Sequence, residues 1–120
     1  MTCDPTGLDS FDAEFFRALC EPARLELVGV LARRGRSDVT TLAGEMTQDR
    51  SVVSRHLQQL LRAGVIVGMR DGRHTLYQLN GLAIADRLER MARDVRALIP
   101  TCCPPLDGEP APANLKEARS

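Results

Sequence analysis

The run Asp49-Arg50-Ser51-Val52-Val53-Ser54-Arg55-His56-Leu57-Gln58-Gln59-Leu60-Leu61-Arg62-Ala63-Gly64 decides how this chain of 120 residues folds. Asp49 is suited to cap an amphipathic helix, and Ala63-Gly64 is a stop signal for it. A few residues upstream, Thr40 can cap a short helix that runs through Met46. Two helices joined by a few residues, the second amphipathic, have the sequence form of a helix-turn-helix.

Working outward toward the C-terminus, the period changes. Val65, Val67 and Met69 alternate toward Asp71-Gly72, and Thr75, Tyr77 and Leu79 alternate away from it. Asp-Gly between alternating runs signals a tight hairpin, here a two-stranded wing. Asn80 then caps a last helix with Leu88, Met91, Val95 and Leu98 on one side, preceded by Ile84 and closed by Pro100. That spacing makes a heptad-like seam. Toward the N-terminus, Phe11, Phe15, Ala18 and Leu19 follow the spacing of one helical face, and Pro22 opens a second helix carrying Leu25, Val28 and Leu31 up to Gly35. The expected fold is mainly α with a β-hairpin, a winged helix-turn-helix over residues 10–99. Residues 1–9 read as a flexible N-terminal tail, and residues 100–120 as a cysteine-bearing tail rich in Pro and Ala.

Composition excludes several classes. An apolar fraction of 43% suits a small globule with an aliphatic core. The longest apolar stretches are too short to span a bilayer, so no membrane association is expected. Asp4, Asp9, Asp12 and Glu14 precede the first basic residue, Arg17, so the N-terminus lacks the form of a secretory signal. A cytoplasmic protein is expected, in which four cysteines read as metal ligands or redox thiols rather than as a disulfide framework. No phosphate-binding glycine loop and no nucleophile with a base and an orienting acid is present, so the chain is not expected to be an enzyme.

Sixteen acidic and sixteen basic residues cancel, with fifteen arginines against the single Lys116. The neutral sum is silent on nucleic acid, because phosphate responds to a local field. Locally the charges separate. The acidic N-terminus offsets Arg50, Arg55, Arg62, Arg70 and Arg73, which face only Asp49 and Asp71 between residues 49 and 74. A helix entering the major groove end-on reads bases with its first residues, here Arg50, Ser51, Ser54 and Arg55. Arg62 lies further along that helix, and Arg70 and Arg73 flank the wing turn. Each arginine alone reads as a solvated surface charge. Together with the helix pair and the wing they favour double-stranded operator DNA as the partner. His56 admits two readings, a DNA contact or packing between helices, and His74 reads first as a solvated strand residue and second as a phosphate contact.

The segments Leu19-Cys20-Glu21-Pro22-Ala23-Arg24-Leu25, Ser51-Val52-Val53-Ser54-Arg55-His56-Leu57 with Leu60-Leu61-Arg62-Ala63-Gly64-Val65-Ile66, and Arg70-Asp71-Gly72-Arg73-His74-Thr75-Leu76-Tyr77 resemble the ArsR/SmtB family. The resemblance spans residues 10 to 99. It implies a homodimeric winged-helix repressor, paired through its first and last helices, that leaves its operator when a metal, metalloid or oxidant reaches cysteine or histidine sites.

The family places ligands in several locations. Where members often carry a Cys-Val-Cys-type arsenic or cadmium box, this chain has Ser37-Asp38-Val39-Thr40-Thr41, without a thiol. Zinc and nickel sensors use His and carboxylate ligands on the last helix, yet Leu82 to Ile99 contains no histidine. What remains is sulfur: Cys102-Cys103 after Pro100, Cys20 between the first two helices, and Cys3 in the tail. No constitutive cofactor is expected. Adjacent thiolates suit trivalent arsenic, as arsenite or methylarsenite, or antimony, better than tetrahedral zinc. A methylated arsenical needs two thiolates and inorganic arsenite a third, for which Cys3 is the first choice. Cys20 reads as a buried structural residue, the less expected ligand. Two rivals stand beside this reading: a thiol redox sensor on the same DNA-binding module, and a cytosolic metallochaperone that does not bind DNA.

Overall fold

A computed structural model describes residue 8 and residues 10–106. Among the described residues five helices and one hairpin follow in the order α1 (Ala13–Leu19), α2 (Pro22–Arg34), α3 (Val39–Gly44), α4 (Arg50–Arg62), β1 (Ile66–Asp71), β2 (His74–Leu79) and α5 (Gly81–Cys102). Phe15, Leu27, Leu31, Leu42, Val53, Leu57, Leu60 and Ile66 are fully buried in one core beneath α1 to α4 and the base of the wing. The mainly helical fold with a two-stranded wing is the one expected from the sequence.

Local chemistry sets the boundaries. Asp12 caps α1, its carboxylate accepting from the Glu14 and Phe15 amides. Asp38 rather than Thr40 starts α3, accepting from the Thr41 amide at 2.8 Å. Both satisfy amides that a helix leaves unpaired at its first turn. Asp49 occupies the capping position of α4 and Asn80 that of α5, but neither makes a side-chain cap hydrogen bond. Asn80 instead donates from Nδ2 to the Gly64 carbonyl.

The stop at Ala63-Gly64 is a Schellman closure. The Val65 amide donates to the Leu60 carbonyl at 3.0 Å and the Gly64 amide to Leu61 at 3.1 Å, with Gly64 at φ 79°. Leu60 and Val65, the residues this motif places in contact, are both fully buried.

Several expectations need correction. The inward face of α2 is Ala23, Leu27, Val30 and Leu31, while Leu25 is 53% exposed, because Leu25 and Leu27 lie on opposite sides of the helix. In the hairpin Asp71 pairs with His74, so the two turn residues are Gly72 and Arg73 rather than Asp71 and Gly72. Gly72 has φ 64°, and glycine at the first central position is what a type II′ turn requires. The strand alternation is shifted as well: Val65 and Ile66 are both buried and Val67 is exposed. Finally, Pro100 does not close α5. The helix continues to Cys102, and the Cys103 amide donates to the Ile99 carbonyl. Proline in a last turn forgoes one backbone bond without preventing the next from forming.

Two connections fix the wing and α5. Ser37 and Tyr77 exchange backbone hydrogen bonds of 3.0 and 2.8 Å, tying the link between α2 and α3 to β2. Arg87 of α5 donates to the Ala63 carbonyl, pairs with Asp12 and stacks over the Phe15 ring. Ser10 adds a 2.6 Å hydrogen bond to Asp94. Met91 is the one α5 residue buried against the core. Leu82, Leu88 and Val95 are exposed, Leu82 to 88%.

Candidate nucleic-acid interface and thiol pair

Burial of Val53, Leu57 and Leu60 turns the opposite side of α4 outward. Arg50, Ser51 and Arg55 are exposed at its start, and Ser54 is half-buried. They form one group at the N-terminal end of the helix, where backbone amides and short side chains allow close approach to a groove. Arg62 is exposed in the last turn, about 18 Å further along the axis at 1.5 Å per residue. It does not join that group. A cation there complements the negative end of the helix dipole.

His56 is also turned away from the group. Its Nδ1 lies 3.4 Å from Nη1 of Arg24 on α2. Arg24 further donates from Nε to the Ala18 carbonyl at 2.6 Å and from Nη2 to the Arg17 carbonyl at 3.2 Å, covering the last turn of α1. Burial, followed by the positive charge of Arg24, holds the His56 pKa below its ordinary 6.5. The ring is therefore neutral near pH 7, and with Arg24 as a permanent donor its Nδ1 is the acceptor. Of the two readings of His56, the geometry fits packing between helices.

On the wing, Arg70 donates to the Gly72 carbonyl at 3.4 Å and is exposed, as is Arg73. His74 Nδ1 stands 3.8 Å from Asp38 Oδ2, linking the foot of β2 to the start of α3. The Asp38 carboxyl is held below its ordinary 3.8, first by the Thr41 amide and then by the Thr41 hydroxyl, against an opposing effect of burial, with weaker help from the charges of His74 and Arg50. A cleft of about 240 Å³ opens here, lined by Asp38, Thr40, Arg50, Arg73 and His74 among others. In the sequence Asp38 and Thr40 stand out only as a helix start without a thiol, not as parts of a polar site. The signal available was a capping acid followed by hydroxyls, which is too common to single out a cleft.

Cys102 in the last turn of α5 and Cys103 next to it are both exposed, with their thiols side by side. The neighbouring Cys102 thiol, some desolvation and the cost of a second adjacent thiolate raise the Cys103 pKa above its ordinary 9.0. Cys20, expected to be buried, is exposed, and its thiol donates to the Arg17 carbonyl at 3.1 Å. The α1–α2 junction leaves it at the surface because Ala18 and Ala23 take the inward positions around it. Among the described residues no three His, Cys, Asp or Glu side chains converge as a metal site, so the pair has no third ligand there. Cys3 lies outside the described residues. No helix among those described is long and apolar enough to cross a membrane.

A family model described as "Bacterial regulatory protein, arsR family" matches residues 21–67, the stretch from α2 to the first residues of β1. A helix-turn-helix-type transcriptional regulator of Mycobacterium tuberculosis is 37% identical over 87 residues, covering 72% of this chain and 75% of that protein. A Streptomyces lividans protein, a "probable mercury resistance operon repressor", is 35% identical over 101 residues, 81% of this chain and 78% of its own length. Among solved structures, the homodimeric winged helix-turn-helix DNA-binding domain of a Mycobacterium bovis protein superposes with a TM-score of 0.57 at 27% identity. That match covers 72% of this chain and 78% of the other.

Proposed function

The chain belongs to the arsR family of bacterial regulatory proteins, transcriptional regulators and not enzymes, and from that premise we propose that it is a homodimeric repressor released from operator DNA by trivalent arsenic or antimony. The observation that carries the effector reading is the exposed thiol pair of Cys102 and Cys103 at the end of α5. Two adjacent thiols can each displace one hydroxide from a trivalent arsenical. As each As–S bond forms, the thiol proton leaves with that hydroxide as water. A methylarsenical has two such groups and is satisfied by two thiols. Arsenite retains one hydroxide, or takes a third thiol if one is recruited. Mercury(II) favours two thiolates on opposite sides of the metal, an arrangement that neighbouring residues of one chain supply poorly.

The dimer reading is supported by the apolar residues that the single chain leaves uncovered. Leu82, Leu88 and Val95 on α5, Phe16 on α1 and Phe11 just before it are exposed large hydrophobics. Phe11 and Phe16 meet at a tilt with ring centres 5.9 Å apart, and a groove of about 640 Å³ runs between Phe11 and the first turns of α5. A second copy covering these residues would bury them and hold two α4 helices at a fixed separation, which half-sites on DNA demand. The thiols sit at the end of this same helix. Capture of an arsenical there would alter the setting of the two recognition helices, and strong metal–thiolate bonds can supply the several kcal/mol needed to shift such an equilibrium.

Mass spectrometry after methylarsenite treatment tests the ligand set. One adduct per chain that blocks two thiols, and that disappears in Cys102→Ser and in Cys103→Ser, is the expected result. An adduct that persists in the Cys102→Ser/Cys103→Ser double variant places the chemistry elsewhere.

A further inference from the structure

The cleft beside the turn end of the wing brings together side chains from three parts of the chain: Arg50 at the start of α4, Arg73 and His74 at the hairpin turn, and Asp38 and Thr40 at the start of α3. Its one acid is already engaged. Asp38 accepts from the Thr41 amide through Oδ1 and faces His74 through Oδ2. Even with His74 neutral, two guanidiniums outweigh that one carboxylate. Among the described residues neither Arg50 nor Arg73 makes an ion pair, as is true of most of the arginines, and these two alone among them line the cleft. Two uncommitted guanidiniums from separate elements thus border one concavity, an arrangement of forked donors suited to a tetrahedral oxyanion.

We infer that this cleft seats one backbone phosphate of duplex DNA, gripped jointly by Arg50 and Arg73, with the Thr40 hydroxyl and His74 as further donors. The inference rests on the DNA-binding reading and deepens it. It moves Arg50 from base recognition to the backbone, leaving Ser51, Ser54 and Arg55 to approach the bases. It also gives the wing a definite task, since one phosphate held by both α4 and the hairpin fixes how deeply the helix enters the groove.

The test is fluorescence anisotropy of the full chain on its promoter fragment and on a scrambled duplex over a range of salt, for wild type, Arg50→Ala, Arg73→Ala and the double variant. Both side chains are exposed, and thermal melting checks that each variant is folded. A phosphate contact lowers affinity equally on both duplexes, by roughly tenfold near 0.1 M salt for the double variant, and lowers the slope of log K against log salt by about 0.9. A joint grip predicts that the double variant loses that one phosphate's worth of slope. A loss of about 1.8, as expected for two separate phosphates, overturns it. So does a loss confined to the promoter fragment, which would mark a base contact, and so does unchanged binding. In a DNA-free arm, inorganic phosphate replaces chloride at equal ionic strength. A millimolar phosphate-dependent rise in melting temperature that the double variant lacks, with DNA affinity unchanged, would make the cleft a small-anion site and also overturn the inference. Wild-type protein that binds the promoter fragment no better than the scrambled duplex would refute the regulator reading itself, while the slope on scrambled duplex still reads the cleft.

Discussion

Nη1 of Arg87 lies 3.1 Å from the carbonyl oxygen of Ala63, so the long terminal helix is fastened to the C-terminal end of the recognition helix. The same guanidinium is 3.3 Å from Asp12 Oδ2 and 5.0 Å from the centre of the Phe15 ring. One side chain therefore joins the start of α1, the end of α4 and α5, the elements through which a change at the thiol pair would have to reach the DNA-facing helix.

Replacing Arg87 by alanine removes a hydrogen bond, an ion pair and a cation–π contact from a partly covered site, and a loss of about 1–3 kcal/mol in urea denaturation is expected. Arg87→Lys keeps the charge but loses the planar guanidinium whose Nη1 serves both Ala63 and Asp12 while its face lies over the Phe15 ring, so it should recover less than half of that loss. Full recovery by lysine would show that charge alone matters at this junction.

His56 predicts a pH effect. Its folded pKa is lowered by burial and by Arg24, so the unfolded chain takes up a proton that the folded protein resists. The stabilisation is complete above the ordinary 6.5 and is lost as pH falls through the lowered folded value. His56→Gln should flatten this part of the stability profile relative to wild type, measured by denaturant midpoints at successive pH values. Nitrogen NMR should find the proton of the neutral ring on Nε2, because Nδ1 faces Arg24. A proton on Nδ1 would contradict the pairing.

Gly64 holds φ 79° at the end of α4, where a β-carbon is strained. Gly64→Ala should lower stability by about 1 kcal/mol. The added methyl would meet Arg87 Nη2 at 3.6 Å, an ordinary contact, so the loss reports backbone strain rather than a clash.

Asp38 caps α3, and Asp38→Ala should lose about 1 kcal/mol while Asp38→Asn keeps most of it. The folded carboxyl is lowered by the Thr41 amide, so its contribution is full well above pH 3.8 and is lost as pH falls through the lowered value. The asparagine variant should lack that acid dependence in thermal melts taken between neutral and acid pH.

Element order and the exposed arginines of α4 and the wing were legible because they rest on local signals: the acid before α4 and the glycine stop after it, the change of period at Val65 and the clustering of arginine between 50 and 73. What was not legible depends on contacts between distant residues. Leu25 and Leu27 look equally apolar, and only packing against α1 and α4 selects Leu27 for the core. His56 could not be placed until Arg24, 32 residues earlier, came within 3.4 Å. Pro100 read as a terminator because proline breaks helices, yet the chain has one more turn in which the Cys103 amide finds the Ile99 carbonyl. As a consequence the thiol pair is attached to α5 itself rather than to a separate tail.

The central claim is that Cys102 and Cys103 receive the signal that dissociates the protein from DNA. The direct measurement is operator release, followed by anisotropy of labelled promoter DNA, during titration with methylarsenite, arsenite, antimonite, mercury(II), zinc, cadmium and peroxide. Trivalent arsenic or antimony should release the wild-type protein at near-stoichiometric concentration, zinc should not, and Cys102→Ser/Cys103→Ser should bind DNA normally but no longer respond. Release by zinc alone, or arsenical release that survives loss of both cysteines, would contradict the account.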